Sequence, residues 1–98
     1  MGTRAALQPF KGAAGYVSSK AAVMALASAV AVEYRDDRIR CNSVVPSVID
    51  TPANRQSMPN ADFDRWVKPA DIAGVIAHLL ADDSSPTSGA AIPVYGRA

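Results

Sequence analysis

Tyr16 and Lys20 are the two residues of this chain whose types and spacing could do acid–base chemistry. Residues four apart on a helix lie on one face, about one turn from each other. A free phenol has a pKa of about 10 and exchanges protons poorly at neutral pH, but a nearby ammonium group favours the phenolate. A tyrosine tuned in this way can donate a proton to an alkoxide or remove one from an alcohol. The spacing alone is a weak signal, because an aromatic residue beside a solvated lysine is common on helices.

The residues around this pair predict a helix followed by a strand. Good helix formers run from Tyr16 to about Tyr34, and Ser28 is the only polar residue in the middle of that run. A helix that is apolar nearly all round is expected to be buried on more than one side. The stretch Ile39–Pro46 then becomes continuously apolar and β-branched, which predicts a buried strand.

The second half of the chain repeats this alternation. A polar segment of about twenty residues follows Pro46, and segments of that length usually cover a site. Pro69 suits the first turn of a second helix, and Ala90–Gly96 predicts a short last strand in which Pro93 limits the pairing. The apolar stripe of the second helix is Ile72, Val75, Ile76, Leu79 and Leu80. The order helix, strand, helix, strand indicates an α/β protein with a parallel sheet.

The predicted elements divide one partial domain into five segments. These are a catalytic loop and helix (1–36), a strand and turn (37–50), a substrate-side loop (51–68), a helix (69–83) and a connector with the last strand (84–98). Two strands give too little cover for two large helices. We therefore expect the C-terminal portion of a doubly wound, Rossmann-like parallel sheet, with the nucleotide-binding N-terminal half absent, since no G-x-G-x-x-G turn occurs.

Composition and charge exclude several classes of partner. A net charge of +1 gives no reason to expect nucleic acid or an acidic membrane surface. The longest apolar run, about a dozen residues, is shorter than the roughly 20 that span a membrane. The single Cys41 fits a reducing, cytoplasmic setting, and Cys41 with His78, which we place at the surface, cannot supply the three or four ligands of a metal site.

Four motifs in order resemble the short-chain dehydrogenase/reductase superfamily. The stretch YVSSKAAV is similar to its active-site helix, IRCNSVVP to the strand that follows, PSVIDT to the next turn and SGAAIPVYG to the closing strand. The resemblance covers essentially the whole chain. It implies hydride transfer between NAD or NADP and a C=O or C=N group, with Tyr16 as the acid–base and Lys20 as its electrostatic partner and ribose ligand.

The same resemblance assigns the cofactor side of the site. Backbone groups at Pro46, Ser47 and Val48 would meet the nicotinamide amide, and the Thr51 hydroxyl would lie nearby. Thr3 stands thirteen residues before the tyrosine, in place of the usual catalytic serine. Ser47 stands where the superfamily has glycine, so a positive φ there would cost more than with glycine.

A narrower match lies in the loop DTPANRQSMPNADFDRW, which resembles the substrate-side loop of dihydropteridine reductases. It points to a pteridine-like substrate, or otherwise to a small carbonyl or alcohol. The candidate substrate-loop residues are Asn54, Met58, Phe63 and Trp66. Phe63 and Trp66 either pack over a flat ring or pin the loop to the body, and the sequence leaves both interpretations open.

The family commonly pairs its active-site helix across a two-fold axis. The resemblance therefore implies a dimer or tetramer formed through the Tyr16–Arg35 helix. An alternative function is that of a truncated, catalytically inactive fragment that acts only through association.

Overall fold

The computed structural model describes all 98 residues. The helices and strands are α1 (Ala14–Glu33), β1 (Ser43–Pro46), α2 (Pro52–Ser57), α3 (Pro69–Leu80) and β2 (Ala91–Val94). Three single 3-10 turns cover Arg4–Ala6, Phe63–Arg65 and Asp82–Ser84. The predicted alternation of helix and strand is confirmed, and the short helix α2 is an addition to it.

The two strands form a parallel sheet, as predicted, with Val45 opposite Pro93. The Ser43 N–H donates to the Ala90 carbonyl at 2.8 Å on one edge of β1. On its other edge the Gly2 N–H donates to the Val44 carbonyl at 2.8 Å. Backbone from both ends of the chain therefore flanks β1.

The first strand begins at Ser43 instead of the predicted Ile39. Before Ser43, hydrogen bonds from the side chains of Arg40 and Asn42 take the place of regular strand pairing. Asn42 Nδ2 donates to the Thr87 carbonyl at 2.9 Å, and Asn42 Oδ1 accepts from the Ala90 N–H at 3.0 Å. Arg40 Nη1 donates to the carbonyls of Ser84 and Thr87 at 3.3 and 3.2 Å. These bonds tie the connector before β2 to the entry of β1.

The core lies between β1 and α3. All four residues of β1 are buried, and Val45 is only 1% exposed. Val44, Val67 and Ile72 form its centre, with the apolar stripe of α3 packed against them. The prediction for Leu80 is wrong: this side chain is 78% exposed, because α3 ends there and the chain turns away.

The long helix α1 departs from its prediction. Ala31 is its only buried residue, whereas Val23, Leu26 and Val32 are 43%, 64% and 66% exposed. The expectation of burial on more than one side is therefore wrong within this chain. The physical reason is that the short turn Arg4–Ala6 is the main element packed along it.

Helix α1 is also long and apolar enough, by length and composition alone, to cross a membrane. The sequence prediction that no segment spans a membrane is not contradicted by this criterion and stays a prediction. A core helix in a water-soluble protein meets the same criterion, so the finding gives only weak support to a membrane location.

The predicted substrate-side loop carries its own secondary structure. Thr51 Oγ1 accepts from the Asn54 N–H at 3.2 Å and caps α2, whose first residue is Pro52. An isolated parallel bridge between Ile49 and Val67 closes the loop, and the Asp50 N–H donates to the Val67 carbonyl at 2.8 Å. The loop therefore leaves and rejoins the body at one point.

Candidate active site

An open cavity of about 640 Å³ lies where the N-terminal loop, the start of α1 and the end of β1 meet. Sixteen residues line it, and eight of the eleven site residues predicted from the sequence are among them. Those eight are Thr3, Tyr16, Lys20, Pro46, Ser47, Val48, Asn54 and Met58. The other three, Thr51, Phe63 and Trp66, do not line the cavity.

Tyr16 and Lys20 lie in the first two turns of α1 and border this cavity together. Gly12, with φ of +88°, makes the turn that leads into the helix, a conformation that glycine adopts without strain. Tyr16 is 49% exposed, so its phenol is open to a molecule in the cavity. Lys20 has no carboxylate within 4.0 Å. The pair is therefore placed for joint contact with a bound ligand.

Thr3 is buried, at 7% exposed, where the cavity meets the N-terminal turn. Its Oγ1 accepts a long hydrogen bond, 3.4 Å, from the Ala5 N–H and so caps the turn Arg4–Ala6. A hydroxyl is both a donor and an acceptor. Capping therefore uses a lone pair of Thr3 and leaves its proton free for a substrate oxygen.

The turn after β1 forms the wall opposite α1. Ser47 does not have a positive φ, so the cost expected from replacing glycine does not arise. Its Oγ donates to the Tyr95 carbonyl at 2.8 Å, and the Val48 carbonyl accepts from the Val67 N–H at 3.3 Å. These bonds fix the turn before any ligand binds.

The substrate-side loop contributes Asn54 and Met58 to the cavity. Asn54 Nδ2 donates to the Ile49 carbonyl at 2.8 Å, which holds α2 against the end of the strand. Phe63 and Trp66 pack on each other with ring centroids 4.8 Å apart, and Trp66 is 8% exposed. Of the two interpretations left open by the sequence, these contacts support pinning of the loop.

An ion pair that the sequence did not reveal stabilises the same loop. Arg55 Nε and Nη2 donate to Asp50 Oδ1 and Oδ2 at 2.6 and 2.8 Å. The hydrogen bond from Arg55 lowers the pKa of the Asp50 carboxyl, and the hydrogen bond to Asp50 raises the pKa of Arg55. The pair joins residues five apart, one beyond the usual helical spacing, which is why helix periodicity does not signal it.

Sequence reasoning also missed cavity residues close to Thr3. Arg4, Gln8 and Phe10 line the cavity beside it. Their only signal in the sequence was proximity to Thr3. Elsewhere, His78 is exposed, as predicted, and Cys41 is half-buried and unpaired.

A family model described as Enoyl-(Acyl carrier protein) reductase matches residues 1–96 of this chain. The chain belongs to the short-chain dehydrogenase/reductase superfamily. The (3R)-3-hydroxyacyl-CoA dehydrogenase of Mus musculus is 38% identical in an alignment 94 residues long, which covers 87% of this chain and 36% of the mouse enzyme. The meso-2,3-butanediol dehydrogenase of Serratia marcescens is 36% identical in an alignment 96 residues long, which covers 89% of this chain and 38% of that enzyme.

Solved structures give the same superfamily and the Rossmann-like fold. A 4-hydroxyisoleucine dehydrogenase complexed with NADH superposes with a TM-score of 0.88 at 28% identity, covering 97% of this chain and 43% of that one. A short-chain dehydrogenase/reductase from Brucella melitensis superposes with a TM-score of 0.87 at 29% identity. The superposition covers 97% of this chain and 42% of that one. This superfamily member thus spans about two fifths of the length of the relatives it matches.

The residues of the cavity fit the nicotinamide end of a dinucleotide. The cavity lies between the Tyr16–Lys20 face of α1 and the ordered turn Pro46–Val48. Lys20 is half-buried and has no acidic partner, so its ammonium group is free to bond a ribose hydroxyl. The 98 residues contain no glycine-rich turn of the kind that binds the phosphates of a dinucleotide.

Proposed function

We propose that these residues form the catalytic helix and substrate side of an NAD(P)-dependent oxidoreductase acting on a small alcohol or carbonyl compound. One observation carries the proposal: Thr3, Tyr16 and Lys20 line a single cavity, although Thr3 lies outside the helix. Chance spacing within one helix does not account for a third, separately placed hydroxyl in the same cavity.

The side chains divide the work of proton transfer. NAD or NADP supplies the hydride acceptor or donor when bound. In oxidation, Tyr16 takes the hydroxyl proton as the carbinol C–H bond breaks, and in reduction it returns that proton to the alkoxide. The Thr3 hydroxyl holds the reacting oxygen. The Lys20 ammonium borders the same cavity as Tyr16 and bonds the ribose. In this proposal Pro46, Ser47 and Val48 border the nicotinamide amide, while the Thr51 hydroxyl is already engaged as the cap of α2.

The relatives support an alcohol or carbonyl substrate. The names of three of them are those of dehydrogenases acting on hydroxyacyl-CoA, butanediol and 4-hydroxyisoleucine. The loop motif adds a finer hypothesis, a dihydropteridine-like ring with Asn54 and Met58 beside it. That hypothesis is the weaker of the two, because Phe63 and Trp66 pack on each other and not along the cavity.

The experiment that tests this function uses the intact protein that carries residues 1–98. Oxidation of NADH and NADPH is followed with acetoin, acetoacetyl-CoA and quinonoid dihydropteridine as substrates. Turnover of acetoin or acetoacetyl-CoA supports the proposal, and turnover of the pteridine alone selects the finer hypothesis. A pure, folded protein that turns over none of the three and binds neither nucleotide contradicts it.

The exposed apolar face of α1 favours a second candidate function, which is association. Leu26 and Val32 are more than 60% exposed on this helix, a state that a second copy would remove. In the intact protein α1 would then form a dimer or tetramer, and in the segment alone it would give an inactive associating fragment. Sedimentation of the wild type and of Leu26→Glu tests this: an unchanged oligomeric state removes α1 from the interface.

The proposal also includes a cytoplasmic location, which the unpaired Cys41 supports.

A further inference from the structure

Thr3 is held in the wall of the cavity by the residues on either side of it. The hydrogen bond that its own Oγ1 accepts is 3.4 Å long, which is longer than usual for a backbone N–H donor. On one side, the Gly2 N–H donates to the Val44 carbonyl at 2.8 Å and attaches the chain to β1. On the other side, Arg4 Nη1 donates to the main-chain oxygen of Ala98 at 2.8 Å. The position of Thr3 therefore depends on a long-range side-chain contact of its neighbour.

The segment that accepts this contact, Tyr95–Ala98, follows β2 and is itself a turn. The Ala98 N–H donates to the Tyr95 carbonyl at 3.2 Å. The guanidinium carbon of Arg4 lies 4.9 Å from the centroid of the Tyr95 ring, so the arginine contacts both ends of the turn. Its Nε also donates to Gln8 Oε1 at 3.0 Å. These contacts fix the Arg4 side chain against the turn.

The same segment also holds the other walls of the cavity. Ser47, in the turn assigned to the nicotinamide, donates from Oγ to the Tyr95 carbonyl at 2.8 Å. Arg65 Nε and Nη2 donate to the Arg97 carbonyl at 3.0 and 2.9 Å, and the Arg97 N–H donates to the Arg65 carbonyl at 2.9 Å. One four-residue segment therefore joins the turn that follows Thr3, the turn that follows β1 and the end of the substrate-side loop.

We propose that Arg4 is a positioning residue, which acts through Thr3 and the segment Tyr95–Ala98 to set the geometry of hydride transfer. The inference rests on the proposed oxidoreductase function and deepens it. In that function Thr3 holds the reacting oxygen and Ser47 borders the nicotinamide. Both are attached to the same segment, Ser47 directly and Thr3 through Arg4. The attachment matters because a misplacement of about 1 Å can lower a rate roughly 100-fold.

A double-mutant cycle in the intact protein tests whether Arg4 acts through Thr3. It separates this role from general support of the fold and from direct contact with the substrate, since Arg4 also lines the cavity. Arg4→Met keeps a long side chain without donors, and Thr3→Val removes the hydroxyl at similar volume. We measure kcat, KM and the Kd for NADH or NADPH in the wild type, both single variants and the double variant. Lys68→Met is the control, at an exposed position that does not line the cavity.

With Thr3 present, we expect Arg4→Met to lower kcat roughly 10- to 100-fold and to change KM and the Kd of the nucleotide less than about twofold. In the Thr3→Val background the same change should lower kcat less than about twofold, because the hydroxyl that Arg4 positions is already absent. Arg4→Lys keeps a donor and should recover part of the lost kcat. Losses of equal size in both backgrounds, or a change in KM alone, overturn the inference, while turnover by the wild type leaves the oxidoreductase function standing.

Tyr95→Leu is a second test, which leaves the hydrogen bonds of Arg4 in place and serves if Arg4→Met fails to fold. It removes the ring that the guanidinium group contacts. We expect kcat to fall roughly two- to fivefold with Thr3 present, the usual size of a cation–π contact, and not to change further in the Thr3→Val background. Equal losses in the two backgrounds, or none in either, contradict the positioning role.

Hydrogen exchange distinguishes a failure of this inference from a failure of the proposed function, because it needs no substrate. Amide exchange is followed by mass spectrometry in the intact wild type, Arg4→Met and Tyr95→Leu. Faster exchange in residues 4–8, with unchanged exchange in α3, supports the attachment of the turn whether or not a substrate is found. Unchanged exchange in residues 4–8 of both variants overturns the inference.

Discussion

Arg55 forms a two-bond ion pair with Asp50, with N–O distances of 2.6 and 2.8 Å. The guanidinium carbon of Arg55 also lies 4.6 Å from the centroid of the Phe63 ring, and Phe63 in turn packs on Trp66. A continuous chain of contacts therefore runs from the end of β1, across the substrate-side loop, to a buried aromatic side chain. None of the side chains in this chain of contacts lines the cavity.

The ion pair makes loop stability depend on pH. The hydrogen bond from Arg55 holds the pKa of Asp50 below its ordinary value of 3.8 in the folded state. The stabilisation that the ion pair gives the folded state is therefore complete above pH 3.8, and it is lost as pH falls through the lower pKa of Asp50 in the folded state. Thermal melts from pH 7 down to that range should show Asp50→Asn less stable than the wild type at neutral pH, with the difference closing in acid. Asp37→Asn, which breaks no ion pair, should show no such convergence.

Gly96 is expected to reject a side chain. Its φ is +64°, and a Cβ there would lie 2.8 Å from the Arg65 carbonyl oxygen. Gly96→Ala should therefore lower the free energy of unfolding by more than about 1 kcal/mol in urea titrations. Gly74→Ala is the matched control, because a Cβ at this position in α3 meets no atom within 4 Å. It should raise that free energy by roughly 0.5–1 kcal/mol, and equal effects at the two sites would contradict this account.

Asn42 should not tolerate an isosteric change to aspartate. Its Nδ2 donates to the Thr87 carbonyl, and Asn42→Asp would replace that donor with an acceptor. We expect the free energy of unfolding to fall by about 1–3 kcal/mol, because the Thr87 carbonyl would lose this hydrogen bond, keep only the one from Arg40 and face a carboxylate oxygen. Asn60→Asp, at an exposed loop position, is the control and should be nearly neutral.

Tyr16→Phe should remove proton transfer and leave the shape of the cavity almost intact. In the intact protein we expect kcat to fall about 10²- to 10⁴-fold, the usual share of general acid–base catalysis. The Kd for NADH or NADPH should change little. Steady-state rates and nucleotide titrations measure the two effects. Tyr34→Phe, at the exposed C-terminal end of α1, should keep wild-type turnover, and a Tyr16 variant that does the same would remove Tyr16 from the mechanism.

Residues 1–98 expressed alone should bind nicotinamide dinucleotides weakly or not at all. The segment has Tyr16 and Lys20 for the nicotinamide ribose, but it has no glycine-rich turn for the phosphates. Calorimetric titration with NADH and with NADPH measures this directly. Micromolar affinity for either nucleotide would show that another part of the segment holds the phosphates.

Sequence patterns predicted those features that depend on periodicity. Helix α3 and its contact with β1 follow from apolar residues at helical spacing, and the strand core follows from a continuous apolar run. The spacing of Tyr16 and Lys20 likewise indicated a shared face. Helix α2 was missed because its six residues are too few for a periodic signal, although Thr51 before Pro52 is a recognisable start.

Features that depend on distant partners were not predictable from local pattern. The exposure of α1 depends on which elements are present to cover it, and hydropathy alone does not supply that information. The place of Arg4 depends on Tyr95 and Ala98, which are more than ninety residues away in the sequence. Contacts of that separation are set by tertiary packing, so only the folded chain reveals them.

The bridge between Ile49 and Val67 has a consequence for how this fold can diversify. Residues 50–66 begin and end at that one bridge, so their exchange leaves β1, α3 and the Tyr16–Lys20 pair in place. Insertions or grafts from relatives that keep the hydrogen bonds between Arg65 and Arg97 are therefore expected to change the cavity wall formed by Asn54 and Met58 without moving Tyr16 or Lys20. Natural variation and laboratory recombination should both concentrate between Ile49 and Val67.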